Sequence, residues 1–99
     1  MNPKIKITYD EIASFCRKHH IRILSLFGSV LRDDFDIDSD VDVLIEFESG
    51  FTPGLSFFSM ENELSEIIGY PVDLNTIEFL SPYMRDKVVH SAKVMYVAA

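Results

Sequence analysis

Residues 21–47 read IRILSLFGSVLRDDFDIDSDVDVLIEF, and the two ends of this stretch decide the fold. Residues 21–27 set Ile21, Ile23, Ser25 and Phe27 against Arg22, Leu24 and Leu26, the pattern of a mostly buried strand. Gly28 ends it. Residues 40–47 form a second strand, because alternation sends Val41, Val43, Ile45 and Phe47 to one face and Asp40, Asp42, Leu44 and Glu46 to the other. Between them, residues 29–32 are long enough for a short helix opening from the first strand, and residues 33–39 are polar enough for a surface loop.

Upstream, Thr8-Tyr9-Asp10-Glu11 reads as a capping box. The helix it starts carries Ile12, Phe15, Cys16 and His19 at helical spacing and runs to about His20. Downstream, Ser49-Gly50-Phe51-Thr52-Pro53-Gly54 is a loop by its Gly and Pro content. Phe57, Met60, Leu64, Ile67 and Ile68 then give a helix an apolar stripe, with Gly69 as its C-terminal cap and Pro71 barring continuation. Residues 72–75 form a short strand with Asp73 opposite Val72 and Leu74. Ser81-Pro82 caps a last helix through about His90, with proline at the first helical position, and residues 94–97 close the sheet as a final strand. Helix, strand, short helix, strand, helix, strand, helix, strand implies an α/β (α+β) domain, a mixed β-sheet flanked by helices. Strand order is not legible.

At 99 residues the chain is expected to be one domain, 1–99. Hydrophobic residues make up 47% of it, with 8 phenylalanines, so it is globular. A contiguous exposed part of that apolar content would mark a protein partner, a homo-oligomer interface being the simplest use. A net charge of −7 argues against a nucleic-acid groove, whose affinity needs clustered Lys and Arg. One cysteine excludes an internal disulfide and a multi-cysteine zinc site. Met1-Asn2-Pro3-Lys4 is not followed by a signal-length apolar run and no segment reaches spanning length, so a soluble cytoplasmic protein is expected, with no membrane partner.

Asp40 and Asp42, two apart on one strand, stand about 6 to 7 Å apart along the chain. Their charges repel and lose hydration in a sheet, a cost that a cation offsets. Oxygen donors alone suit a hard ion, Mg²⁺ or Mn²⁺, which usually accompanies nucleotide phosphates. Asp73 lies on another strand whose polar face can turn to the same place, and three carboxylates suffice for two metals in phosphoryl or nucleotidyl transfer. Gly28-Ser29, between strand and helix, offers amides, a hydroxyl and close backbone approach to a phosphate. Arg32, one helical turn later, is a further candidate phosphate contact, weighed against simple solvation.

Other readings are weaker. Asp36, Asp38, Asp40 and Asp42 alternate as in a calcium loop, but an EF-hand beginning at Asp36 needs glycine and glutamate where Val41 and Phe47 stand. Asp33, Asp34, Asp36 and Asp38 read as a solvated acidic face. His19, His20 and His90 suit helix-end or surface roles, Cys16 the core, and Phe57, Met60 and Leu64 the core rather than a base pocket. Tyr83 and Tyr96 are candidate exposed contacts.

Jointly, Gly28-Ser29, ten intervening residues, Asp40-Val41-Asp42 and then Asp73 form the pattern G-S-x10-D-x-D with a later aspartate. This resembles the DNA polymerase beta-like nucleotidyltransferase superfamily. LFGSVLRDD, SDVDVLIEF and VDLNT are similar to its minimal nucleotidyltransferases over about residues 24–96. The resemblance implies that Asp40, Asp42 and Asp73 coordinate two Mg²⁺ ions and that Gly28 and Ser29 hold the triphosphate. It also implies attack of an acceptor hydroxyl on the α-phosphate of ATP, with Asp73 as base. Family members commonly carry glycine after the turn arginine, where this chain has Arg32-Asp33. Minimal nucleotidyltransferases are typically paired with a HEPN-domain toxin, and the resemblance implies an antitoxin that transfers AMP to a toxin tyrosine. The rival function is a non-catalytic module of the same fold that neutralises its partner by covering it.

Overall fold

The computed structural model describes residues 7–31 and 39–98. Helix α1 (Tyr9–Lys18) starts where Thr8 accepts from the Glu11 amide at 3.3 Å while its hydroxyl donates to the Glu11 carboxylate at 2.8 Å. The expected capping box therefore closes through the two side chains. Ile12, Ala13, Phe15 and Cys16 give α1 its buried face. The helix stops at Lys18, two residues short of the expected end, and His20 turns the chain through a left-handed φ of 58° into strand β1 (Ile21–Phe27). A single 3-10 turn, Gly28–Leu31, follows β1. Arg32 and the acidic positions Asp33, Asp34, Asp36 and Asp38 lie outside the described residues, as do residues 1–4.

Strand β2 (Val41–Phe47) begins one residue later than expected, so Asp40 stands exposed just before the ladder. The Val41 amide donates to the Pro71 carbonyl at 2.8 Å, which ties the entry of β2 to the segment leading into β3. Helix α2 (Ser56–Ile68) buries Met60, Leu64 and Ile68 at four-residue spacing and ends at Gly69, whose φ of 85° is the left-handed cap its sequence predicts. Strand β3 (Val72–Thr76) runs one residue beyond expectation into an unforeseen 3-10 turn, Ile77–Phe79. Helix α3 (Pro82–Ser91) is capped by Ser81, which accepts from the Met84 amide, and buries only Val88. The last strand is β4 (Lys93–Val97).

The strands form one mixed sheet in the order β3-β2-β1-β4. β1 is antiparallel to both neighbours, whereas β2 and β3 are parallel and joined through α2, as a parallel pair requires a crossover. Leu24, Leu26, Val41, Val43 and Ile45 of the central strands meet the buried faces of α1 and α2 in one core, with Val72, Leu74 and Tyr96 from the edge strands. Each such fully buried aliphatic side chain contributes roughly 1.5–3 kcal/mol before entropy is subtracted. Tyr96 is thus a core residue, correcting its reading as an exposed contact: its register opposite the buried Leu24 of β1 turns it inward toward Tyr9, centroids 6.3 Å apart. Tyr83 is 69% exposed, as read. Among the described residues no helix is long and apolar enough to cross a membrane.

Candidate active site

With the core fixed on one face of the sheet, alternation places Asp42 on the other. In β2 the buried Val41, Val43 and Ile45 alternate with the half-buried Asp42 and Leu44. In β3 the buried Val72 and Leu74 flank an exposed Asp73. The parallel register pairs Asp42 directly with Asp73, and residues paired across a ladder point to the same face. The two carboxylates therefore share the open face on adjacent strands. Asp40 sits two residues before Asp42, exposed and ahead of the strand.

The edge position of β3 leaves its outer amides in need of partners, and α2 provides them. Ser65 Oγ accepts from the Val72 amide at 3.0 Å and Glu61 Oε2 from the Leu74 amide at 2.9 Å, so the residue on each side of Asp73 is held by α2. Nothing in the local sequence announced these contacts, which join residues 7 and 13 apart.

Gly28 comes to the same place from β1, because the antiparallel register sets Phe27 opposite Asp42. Its φ is 77°, a conformation open chiefly to glycine, and a Cβ added there would overlap Asp42 Oδ2 and lie 3.1 Å from Asp42 Cγ. The turn thus rests directly against the carboxylate, with the backbone of Ser29 following in it. The candidate phosphate turn and one candidate metal ligand adjoin, as the sequence pattern anticipated.

Among the described residues no group of three or more His, Cys, Asp and Glu side chains is gathered closely enough to hold an ion. The donor set nevertheless fits a hard divalent cation: Asp42 and Asp73 share a face, Asp40 is next in the chain, and the backbone beside them carries no Cβ. The histidines lie elsewhere. His19 Nε2 is 3.0 Å from Glu63 Oε1, the His20 ring stacks on Phe51, and His90 Nδ1 donates to the Asp86 carbonyl at 2.7 Å. Cys16 is fully buried, and burial pushes its thiol up to about 12, which removes it as a nucleophile.

A cleft of about 710 Å³ lies beyond Asp42 along β2. Leu44 and Ser25 contribute from the open face, with Phe47, Phe51, Phe57 and Phe79 from the end of β2, the following loop, α2 and the turn after β3. Phe57 packs against the core as its sequence position predicts, and its half-buried ring also meets Phe79 edge to face at 5.3 Å, while Phe51 lies in the loop read as plain. A large aromatic inside a Gly- and Pro-rich loop was the available signal.

The open-faced mixed sheet thus brings a candidate anion-binding glycine turn against one of two paired aspartates. The pattern described as "Polymerase beta, Nucleotidyltransferase" matches residues 10–98. The chain belongs to this polymerase beta nucleotidyltransferase family and, within it, to the minimal nucleotidyltransferases. It is 34% identical over 76 residues to the protein adenylyltransferase MntA of Thermococcus cleftensis, covering 69% of this chain and 76% of that one. A solved "putative minimal nucleotidyltransferase" is similar at 32% identity and a TM-score of 0.71, covering 86% of each chain. A complex of a tri-AMPylated Shewanella oneidensis HEPN toxin with MNT antitoxin shares the fold, with a TM-score of 0.65 at 18% identity, covering 91% of this chain and 70% of that one.

Proposed function

We propose that this nucleotidyltransferase is an antitoxin that transfers AMP from ATP to a hydroxyl, a tyrosine in particular, of a partner HEPN toxin. The observation that carries the reading is the register: Asp42 lies directly beside Asp73, with Gly28 packed on its carboxylate. Relatives support the acceptor class, since one is named a protein adenylyltransferase and a structural neighbour holds an AMPylated HEPN toxin.

In this reading the amides of the Gly28-Ser29 turn bind the triphosphate, with Arg32 as a further contact. Asp40, Asp42 and Asp73 would hold Mg²⁺, or Mn²⁺ in its place. The bound ions supply neutralisation of the charge on the phosphates. The acceptor oxygen forms a bond to the α-phosphorus, the bond from that phosphorus to the bridging oxygen of pyrophosphate breaks, and the acceptor proton passes to Asp73. Asp73 suits that role because it is exposed on the open face where an acceptor can approach, whereas Asp42 is covered by Gly28.

The test is transfer of AMP from α-labelled ATP to the product of the adjacent reading frame, with Mg²⁺ present; that product is expected to be a HEPN protein. Wild type should label it, and Asp42→Asn and Asp73→Asn should each reduce labelling by about 100-fold or more without unfolding. Absence of labelling by wild type, or equal labelling by Asp42→Asn, would sink the proposal. Neutralisation that survives Asp42→Asn would identify a covering module instead. Metal binding is read separately: Mg²⁺ or Mn²⁺ should raise the melting temperature of wild type and leave that of Asp73→Asn almost unmoved.

A further inference from the structure

Resting on that reading, we infer that the phenylalanine-lined cleft is the docking groove for the acceptor chain, and that it selects an apolar or aromatic segment flanked by Lys or Arg. Position comes first. Leu44 follows Asp42 by two residues on the same face of β2, so the groove opens about 7 Å from the carboxylate and reaches Glu46 about 14 Å away, by the rise of a strand. An extended segment of about five residues spans that distance, which lets a chain held in the groove deliver a hydroxyl to Asp42 and Asp73.

Charge then chooses the occupant. Glu46, Glu48 and Glu78 are among the groove's lining residues, and among the described residues none that lines it is Lys, Arg or His. Arg22 Nη2 bonds Glu46 at 2.6 Å, while Glu48 and Glu78 are exposed. Carboxylates on an apolar wall repel a nucleotide's phosphates and attract cationic side chains. The aromatic rings supply the desolvated anchor typical of a binding hot spot: Phe51 is 38% and Phe79 64% exposed, each supported from behind, by His20 and Phe57 respectively. Such surface is disfavoured without a partner.

The experiment uses the full chain and fluorescent tyrosine-containing nonapeptides with a shared apolar centre and either Lys/Arg or Glu flanks. Polarisation measures their binding with and without ATP, and labelled ATP is titrated separately. Basic-flanked peptides should bind at least tenfold tighter than acidic ones. Phe79→Ala should weaken that binding about tenfold while ATP affinity holds, and Glu48→Lys with Glu78→Lys should reverse the charge preference. Thermal melts establish that each variant is folded, and Phe79→Leu should recover part of the binding. Failure of every peptide to bind, equal binding of both charge classes, or full binding by folded Phe79→Ala overturns the inference. Competition between ATP and peptide, or weakened ATP in Phe79→Ala, assigns the groove to the nucleobase and also overturns it. Selective binding without AMP transfer leaves the groove standing and removes the proposed reaction.

Discussion

Gly28 shows how narrow the tolerance is at the level of one residue. Its φ of 77° already disfavours any side chain, and a methyl group would collide with the Asp42 carboxylate. Gly28→Ala should therefore lose about 1–2 kcal/mol from the backbone alone, and transfer activity should fall further than stability because Asp42 must move. Chemical denaturation beside a transfer assay checks both, and an active, equally stable Gly28→Ala would show that the turn does not rest on Asp42. The Asp42 and Asp73 pair predicts the opposite sign for stability. Like charges directly opposite in a ladder cost about 0.2–1 kcal/mol, so metal-free Asp73→Asn should melt no lower than metal-free wild type while losing transfer. All three residues are legible in the sequence as candidates, from a glycine at a strand end and acids at strand-compatible spacing.

Between elements, the strongest dependence is that of β3 on α2. Ser65 and Glu61 bind the amides on both sides of Asp73, and they also blunt an edge that would otherwise offer free donors to another strand. A hydrogen bond to a charged acceptor is worth about 1.5–3 kcal/mol. Glu61→Ala should therefore lower stability by about that amount and reduce turnover at saturating ATP, whereas Glu61→Gln, which retains an acceptor oxygen, should recover most of both. A Glu61→Ala protein with unchanged turnover would show that Asp73 is positioned by β2 alone. Period-two and helical patterns predict α1, α2 and the strands, and the Ser81-Pro82 cap predicts α3, because periods and caps are local. The 3-10 turn after β3 has no such local signal, and β2 begins at Val41 rather than Asp40 because the sequence alternation does not mark where pairing starts.

Across the molecule, Glu63 fastens α2 to α1. Lys18 Nζ lies 3.1 Å and His19 Nε2 3.0 Å from Glu63 Oε1. Burial pulls the Glu63 pKa up, but the hydrogen bonds from His19 and Lys18 outweigh it and hold the carboxyl below its ordinary value. A carboxyl with a lowered folded pKa contributes stability above its unfolded value and loses it as pH falls through the folded one. Melting curves from pH 7 to pH 3 should show wild type more stable than Glu63→Gln near neutrality, with the gap closing in acid. A gap that stays constant across that range would assign the difference to packing.

The sequence by itself determined the elements, the mixed helix and sheet architecture, the glycine turn and the identity of the acids, all of which follow from backbone periodicity and residue chemistry within a few neighbours. Tertiary structure decided the rest. Whether Asp73 faces Asp42 depends on the register of two strands whose paired acids are separated in sequence by a whole helix, and a slip of one residue would have sent one acid into the core. The order β3-β2-β1-β4, the inward turn of Tyr96 and the assembly of four phenylalanines into a groove likewise arise from contacts between distant segments. Such contacts form only when the chain closes on itself, and no local pattern encodes their geometry.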